Sequence, residues 1–357
     1  MATSHPPFEL HAQTVPTPDG TAQTYFSYTL NPESGVPSHW CGRLRTTGCR
    51  TEAAAERFVL QRIEELKRGA PETGPWSDGS ALLDDPERLR SAAAERGYLF
   101  FPGLLPAEAV LEVRRDVLRV LRDHGALAEG SELDAGIARP GVVLEGSKPN
   151  EQYRSYYNKV LSVHSFNALP HHPRIMGVVR QLLGEAVLVH PRHICHAIFP
   201  ALETFKTPPH QDHFSVGGTP HTWTVWLPLG DCDSVLGGVM LAEGSHADGL
   251  LPVVEGSIWV DPGTERDWTW SPMAAGDMVM FHSLAVHQGR DNTSGDRIRL
   301  AASFRYQPVG EPVDTAALEP QHHYAEWDDL YADWPPDDPL RYYWRDLPLQ
   351  VRPSVHP

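Results

Sequence analysis

The chain has 357 residues, is 41% hydrophobic and carries a formal net charge of −16 at pH 7. That length holds one large decorated domain or two smaller ones, and the apolar share is enough for a sizeable core. The acidic balance argues against nucleic acid and anionic membrane surfaces, which both select basic patches. No apolar run reaches the length of a membrane span, and residues 1–9 lack the basic start and apolar core of a leader. The four cysteines, Cys41, Cys49, Cys195 and Cys232, show no C-x-x-C pairing. Free thiols in a cytoplasmic protein are therefore expected.

In chain order, residues 24–30 alternate like a short strand. Thr51 is placed to cap a helix over 52–68 with Ala55, Val59, Arg62 or Ile63, and Leu66 on one side. Residues 69–79 are rich in Pro, Gly and Ser and mark a boundary. Residues 1–80 are thus an N-terminal extension. Asp85-Pro86 opens a second helix that stops before Gly97, and 98–101 reads as a strand. Pro106 starts a longer helix with the stripe Val110, Val113, Val117, Val120 and Leu121, closed by Gly125. Residues 126–150 read as a polar, mobile loop. Pro173 opens a helix with Ile175, Val178, Val179 and Leu182, ended by Gly184.

From Ala186 the period changes to two. Strands are expected at 187–189, 193–199, 222–229, 238–242, 277–281 and 297–306. Helices followed by many short strands indicate a mainly β fold with flanking helices, packed outside a closed or sandwiched core. That core domain is assigned to 81–310. The remaining 311–357 is acidic and aromatic, with Trp327, Tyr331, Trp334, Tyr342, Tyr343 and Trp344, and is expected to pack on the core.

The chemistry concentrates at His210-Gln211-Asp212 and His287. In an extended segment the i, i+2 spacing puts His210 and Asp212 on one face. Two imidazoles and one carboxylate can occupy one face of an octahedral Fe(II), leaving positions for a bidentate co-substrate and O2. A 2-oxo acid would chelate there, and its distal carboxylate then needs a cation at fixed range. Arginine suits that role because its planar fork pairs with carboxylates and stays charged. In the alternating run 297–304, Arg297, Arg299, Ala301 and Ser303 share a face. Both arginines are candidates by parity. His213, His221, His246 and His282 are read as structural; His282, five residues before His287, points to the opposite face if one strand holds both. Asp277 and Asn292 are read as turn formers. Tyr156, Tyr157 and Lys159 are candidates for a substrate entrance.

The ordered set of motifs resembles the phytanoyl-CoA dioxygenase family of Fe(II)/2-oxoglutarate oxygenases. It comprises Gly97 through Leu105, Pro208 through Asp212, Trp226-Leu227-Pro228-Leu229, Gly237-Gly238, Gly244-Ser245-His246, Gly276-Asp277, His287 with Asn292, and Arg299-Leu300-Ala301. The resemblance runs from about residue 85 to the C-terminus. It implies a double-stranded β-helix (jelly-roll) core and dependence on Fe(II), 2-oxoglutarate and O2. It also implies hydroxylation of a small molecule, with Trp226 beside the co-substrate. Two positions depart from the pattern. Gly289 stands where a hydroxyl residue is common, and the interval from His287 to Arg299 is one residue longer. The longer interval keeps Arg297 as the alternative anchor, while the Arg-Leu-Ala context favours Arg299. Two other classes share the residue set: a non-catalytic jelly-roll that binds iron and 2-oxoglutarate, and a cupin-like Zn or Mn enzyme. The oligomeric state is not encoded in these patterns.

Overall fold

The protein is described by a computed structural model over residues 7–16, 22–31, 34–36, 43–45, 49–68, 73–142, 151–200, 207–254, 257, 259–263 and 266–354. A three-stranded antiparallel sheet opens the chain: β1 (Phe8–Pro16), β2 (Ala22–Leu30) and β3 (Arg43–Arg45). Helix α1 (Glu52–Arg68) follows, and Thr51 Oγ1 accepts the Ala54 amide at its start. Ala54, Ala55, Phe58, Val59 and Ile63 from α1 close a small core with Phe26, Tyr28 and Leu30. Trp259 joins it from far along the chain. Arg62, on the same helix, forms a 2.6 Å ion pair with Asp291.

Next come β4 (Thr73–Gly74), α2 (Pro86–Arg96), β5 (Tyr98–Phe101) and α3 (Ala107–Asp123). They lead into α4 (Glu151–Leu161), α5 (His164–Ala168) and α6 (Pro173–Leu183). The strand-rich half holds β6 (Val187–Val189), β7 (Ile194–Ile198), α7 (Asp212–Val216), β8 (Trp223–Pro228), β9 (Gly238–Ala242) and β10 (Trp268–Thr269). It continues through β11 (Met278–His282), β12 (His287–Arg290), β13 (Arg299–Pro308) and β14 (Pro312–Asp314). Helix α8 (Trp327–Leu330) and β15 (Gln350–Arg352) complete the chain.

The larger sheet runs β5-β11-β8-β13-β6, with β7 also on β13, and all its pairings are antiparallel. The smaller runs β12-β9-β10-β4. Alternation gives each strand two fates. Phe100, Val279, Trp226 and Ser303 are successive Cα partners across four strands and so share one face. Tyr98, Phe100, Trp226, Val279 and Phe281 meet Val239 and Leu241 of the smaller sheet in one apolar cluster. The two sheets therefore pack face to face. The opposite parity of the larger sheet, including Met280, Leu227, Leu300 and Phe304, packs under the helices. Val117, Leu118 and Leu121 of α3 are fully buried there, each worth about 1.5–3 kcal/mol relative to exposure.

Local signals set the element ends. Asp85 Oδ1 accepts the Arg88 amide to open α2. The turn before β11 uses Asp277, which accepts the Gly103 and Ala274 amides. Gly276 in that turn has φ +101°, and a Cβ there would lie 2.4 Å from the Leu105 carbonyl oxygen. In the tail, Tyr331, Trp334 and Trp344 belong to the main core, and Trp334 Nε1 donates to the Ser162 carbonyl.

Some expectations need correcting. Residues 126–142 are not a featureless loop: Leu127 and Ala138 form a β-bridge and 133–135 a 3-10 turn. Residues 143–150 lie outside the described residues. Tyr156 and Tyr157 are buried in the core, since with Tyr153 and Val160 they form the i, i+3, i+4, i+7 stripe of α4. Lys159 points outward to Asp333. Cys195 and Cys232 are free and buried, Cys49 is buried in the core of β2 and α1, and Cys41 lies outside the described residues.

Candidate active site

His210 and His287 are drawn together by backbone. The His210 amide donates to the His287 carbonyl at 2.9 Å and the reverse bond is 3.0 Å. Their rings face each other with centroids 4.1 Å apart. Asp212 arrives differently from the expected extended run. Gln211 is extended, but Asp212 is the first residue of α7, so a strand-to-helix turn brings its carboxylate round. Gln211 pins that turn: its Nε2 donates to the Gly249 and Leu284 carbonyls and its Oε1 accepts the Leu251 amide.

Asp212 Oδ1 lies 3.8 Å from His210 Nε2 and 3.9 Å from His287 Nε2. The three ligand atoms lie within 4.8 Å of one another, so the cluster could hold a metal ion. The histidine tautomers are set for that purpose. His210 Nδ1 donates to the Pro208 carbonyl at 2.8 Å and His287 Nδ1 to the Ala285 carbonyl at 3.0 Å, leaving both Nε2 lone pairs free. Burial lowers the pKa of His210, and lowers that of His287 to about 3. Both rings are neutral, as metal ligands must be. Burial pushes the Asp212 carboxyl up, but Arg305, His287, His210 and Thr224 outweigh it and hold the group well below the usual carboxylate range. The donor set of two neutral imidazoles and one carboxylate fits Fe(II).

β13 aims a polar row between the sheets. Arg299 is 7% exposed. Its Nη1 donates to the Leu236, Gly238 and Arg290 carbonyls, and its buried Nε has no partner. Among the described residues no carboxylate pairs with it. Burial lowers its pKa from the ordinary value, against a smaller opposing pull from Cys232 and Asp291. Arg290, whose carbonyl receives it, ends the same strand that His287 begins, about 10 Å of strand apart. Trp226 lies on the facing strand with Ser303 as its Cα partner. Arg297 precedes β13 and turns outward, its guanidinium 3.1 Å from Asp233 and 38% exposed.

Other histidines fall as follows. His282 faces away from the cluster, against Trp223 and His246. The reason is not alternation along one strand, because a turn separates β11 from β12. At the departure from the family pattern, a Cβ on Gly289 would sit 3.3 Å from the Thr207 backbone nitrogen. The segment leading to His210 crosses there, so a larger residue would press on it.

Residue reasoning missed Arg305, Thr224 and His196. Arg305 contacts both oxygens of Asp212, Thr224 Oγ1 donates to Oδ2, and His196 Nε2 pairs with Ser303 Oγ. The available signal for Arg305 was its parity, shared with Arg299, Ala301 and Ser303.

The phytanoyl-CoA dioxygenase (PhyH) family model matches residues 93–301, more than half of the chain. The chain belongs to that family. It is 29% identical over 69% of its length to a 1-deoxypentalenic acid 11-beta-hydroxylase of Streptomyces arenae, covering 89% of that protein. It is 28% identical to the enzyme of the same name from Streptomyces exfoliatus, with the same coverage of each chain. Similar solved structures include the epimerase SnoN in complex with Fe3+, alpha-ketoglutarate and nogalamycin RO, at 22% identity and TM-score 0.49, covering 64% of this chain and 86% of that one. The carbocyclase SnoK from nogalamycin biosynthesis is similar at 22% identity and TM-score 0.47, covering 69% and 89%. The PhyH member described here is a 2-oxoglutarate-dependent oxygenase that uses iron and O2. The non-catalytic and Zn or Mn readings fall with that assignment. No helix among the described residues is long and apolar enough to cross a membrane.

The buried histidines make the fold acid-sensitive. Burial lowers His190, His196 and His287 to about 3, and His193 well below its ordinary value. In the unfolded chain they protonate near 6.5. Below that pH the unfolded state binds more protons than the folded one, so stability falls as pH falls. Each histidine costs up to about 1.4 kcal/mol per pH unit in that window. Denaturant midpoints of metal-free protein should drop steeply from pH 7 to pH 5. A flat profile would contradict neutral burial.

Proposed function

We propose that His210, Asp212 and His287 hold the iron, that Arg299 anchors the distal carboxylate of 2-oxoglutarate beside Trp226, and that the enzyme hydroxylates an unactivated C–H bond of a small molecule. The observation that carries this reading is Arg299, a buried guanidinium with a free Nε and, among the described residues, no carboxylate partner, at the far end of β12 from His287. A five-carbon dicarboxylate chelated at the histidine end supplies the missing anion. The two facing sheets are read as the halves of a double-stranded β-helix. Residues 1–80 are an extension whose last part, β4 and Trp76, is shared with the core, 81–310 the oxygenase domain, and 311–357 a segment packed on it. The hydroxylase names of the two Streptomyces relatives support the reaction type.

Bound iron and 2-oxoglutarate supply the oxidising power, with succinate and CO2 as co-products. The chain contributes position and dryness. The Pro208 and Ala285 carbonyls keep both histidines in the ligating tautomer, and Trp226, Val279 and Phe281 exclude water from the polar row. Asp212 fills the carboxylate position of the ligand set, which leaves no vacancy for a halide.

Arg299→Ala should raise the 2-oxoglutarate KM by an amount equivalent to about 2–5 kcal/mol. Arg297→Ala should change it little, because that side chain is spent on Asp233 at the surface. The reverse ranking in steady-state kinetics would transfer the anchor to Arg297.

Turnover under 18O2 should place one labelled oxygen in a hydroxylated product and the other in succinate, with no chlorination at high chloride. Mass spectrometry reads both. A chlorinated product would overturn the assignment, and succinate without product oxygen would move it to desaturation or ring closure.

A further inference from the structure

Arg305 and Thr224 act on Asp212 and not on one another. Arg305 lies on β13 and Thr224 on β8, and the two are Cα partners across the sheet. Both are buried, as is Asp212. Arg305 Nη2 donates to Oδ1 at 3.1 Å and its Nε reaches Oδ2 at 3.4 Å. Thr224 Oγ1 donates to Oδ2 at 2.5 Å. A carboxylate offers about four lone-pair positions. Three are taken from the sheet side, and the remaining one is on Oδ1, the atom equidistant from the two Nε2 atoms.

We infer that Arg305 is a positioning residue that, with Thr224, holds the Asp212 carboxylate in its ligating rotamer before metal arrives. The inference rests on the ligand set proposed above. Asp212 needs such a clamp because it heads a helix of only five residues. The two histidines, in contrast, are fixed by backbone bonds to each other. An unpaired aspartate at a helix start has more than one staggered χ1 rotamer open to it; here the sheet selects one.

Charge alone acts in the opposite direction. Removing a guanidinium beside the metal position lowers repulsion toward a divalent cation and should tighten its binding. Loss of a residue that orients a ligand weakens metal affinity by about 10–100-fold. The sign of the change therefore separates positioning from simple electrostatics.

The test is anaerobic Fe(II) binding by chelator competition, on metal-free wild type, Arg305→Gln, Arg305→Lys and Thr224→Val, with thermal unfolding of each. Arg305→Gln should raise the Fe(II) Kd about 10–100-fold. Arg305→Lys should recover only part, since an ammonium cannot fork across two oxygens. Thr224→Val, which changes no charge, should weaken Fe(II) by a smaller factor. It carries the test if Arg305→Gln does not fold. The double variant should lose less than the product of the single losses, because both act through Asp212. An unchanged or tighter Kd in folded Arg305→Gln, or in Thr224→Val if that alone folds, overturns the inference. So does an effect confined to 2-oxoglutarate affinity at saturating iron, which would make Arg305 a co-substrate ligand. Wild type that fails to bind Fe(II) would instead defeat the proposed ligand set.

Discussion

The pair of backbone hydrogen bonds between His210 and His287 is the constraint on which the site depends. It joins the segment that enters α7 to the first residue of β12. Everything nearby is arranged around that join. Thr207 and Gly289 extend it, with the Gly289 amide donating to the Thr207 carbonyl. The Val260 amide donates to the Pro209 carbonyl from the other side. Val260 follows Trp259, which is buried in the core built by β2 and α1. Through that contact and the Arg62–Asp291 pair, the N-terminal elements brace the rim of the site although they lie outside the matched family region.

The interior has an unusual electrostatic balance for so acidic a chain. Apolar side chains of β5, β8, β9 and β11 wall a row of cationic and polar groups, Arg299, Ser303 and Arg305. Buried cations are costly unless paired. Arg305 has Asp212, whereas the hydrogen bonds of Arg299 among the described residues go to carbonyls. Counting Fe(II) as +2, Asp212 as −1 and the two arginines as +2 leaves a strongly positive pocket, whose charge a dianionic 2-oxo acid lowers by two. In the proposed reading the iron site and the co-substrate site are thus coupled through charge as well as geometry.

The large elements were legible because they are written in local patterns. Pro106 to Gly125 is a helical stripe with both ends marked, and the start of β13 alternates. Phe8, Leu10 and Ala12 alternate too, and β1 was available to the same rule. What could not be read was long-range or steric. The turn into α7 depends on Gln211 reaching Gly249, Leu284 and Leu251, which no spacing announces. Parity could not separate Arg297 from Arg299. The structure does so because the Asn292 and Ser294 side chains bind the Arg297 backbone and end the turn before β13 begins. Arg305 was invisible as a partner of Asp212 because the two are far apart in sequence and meet only across the folded sheet.

The most direct measurement is an anaerobic titration with Fe(II) and then 2-oxoglutarate, followed by the visible charge-transfer absorption of the ternary complex, with wild type beside His287→Ala. The account predicts one iron and one 2-oxoglutarate per chain in wild type, and no band in the variant at stoichiometric metal. A band of undiminished intensity in His287→Ala, or 2-oxoglutarate binding to wild type without the band, would contradict it.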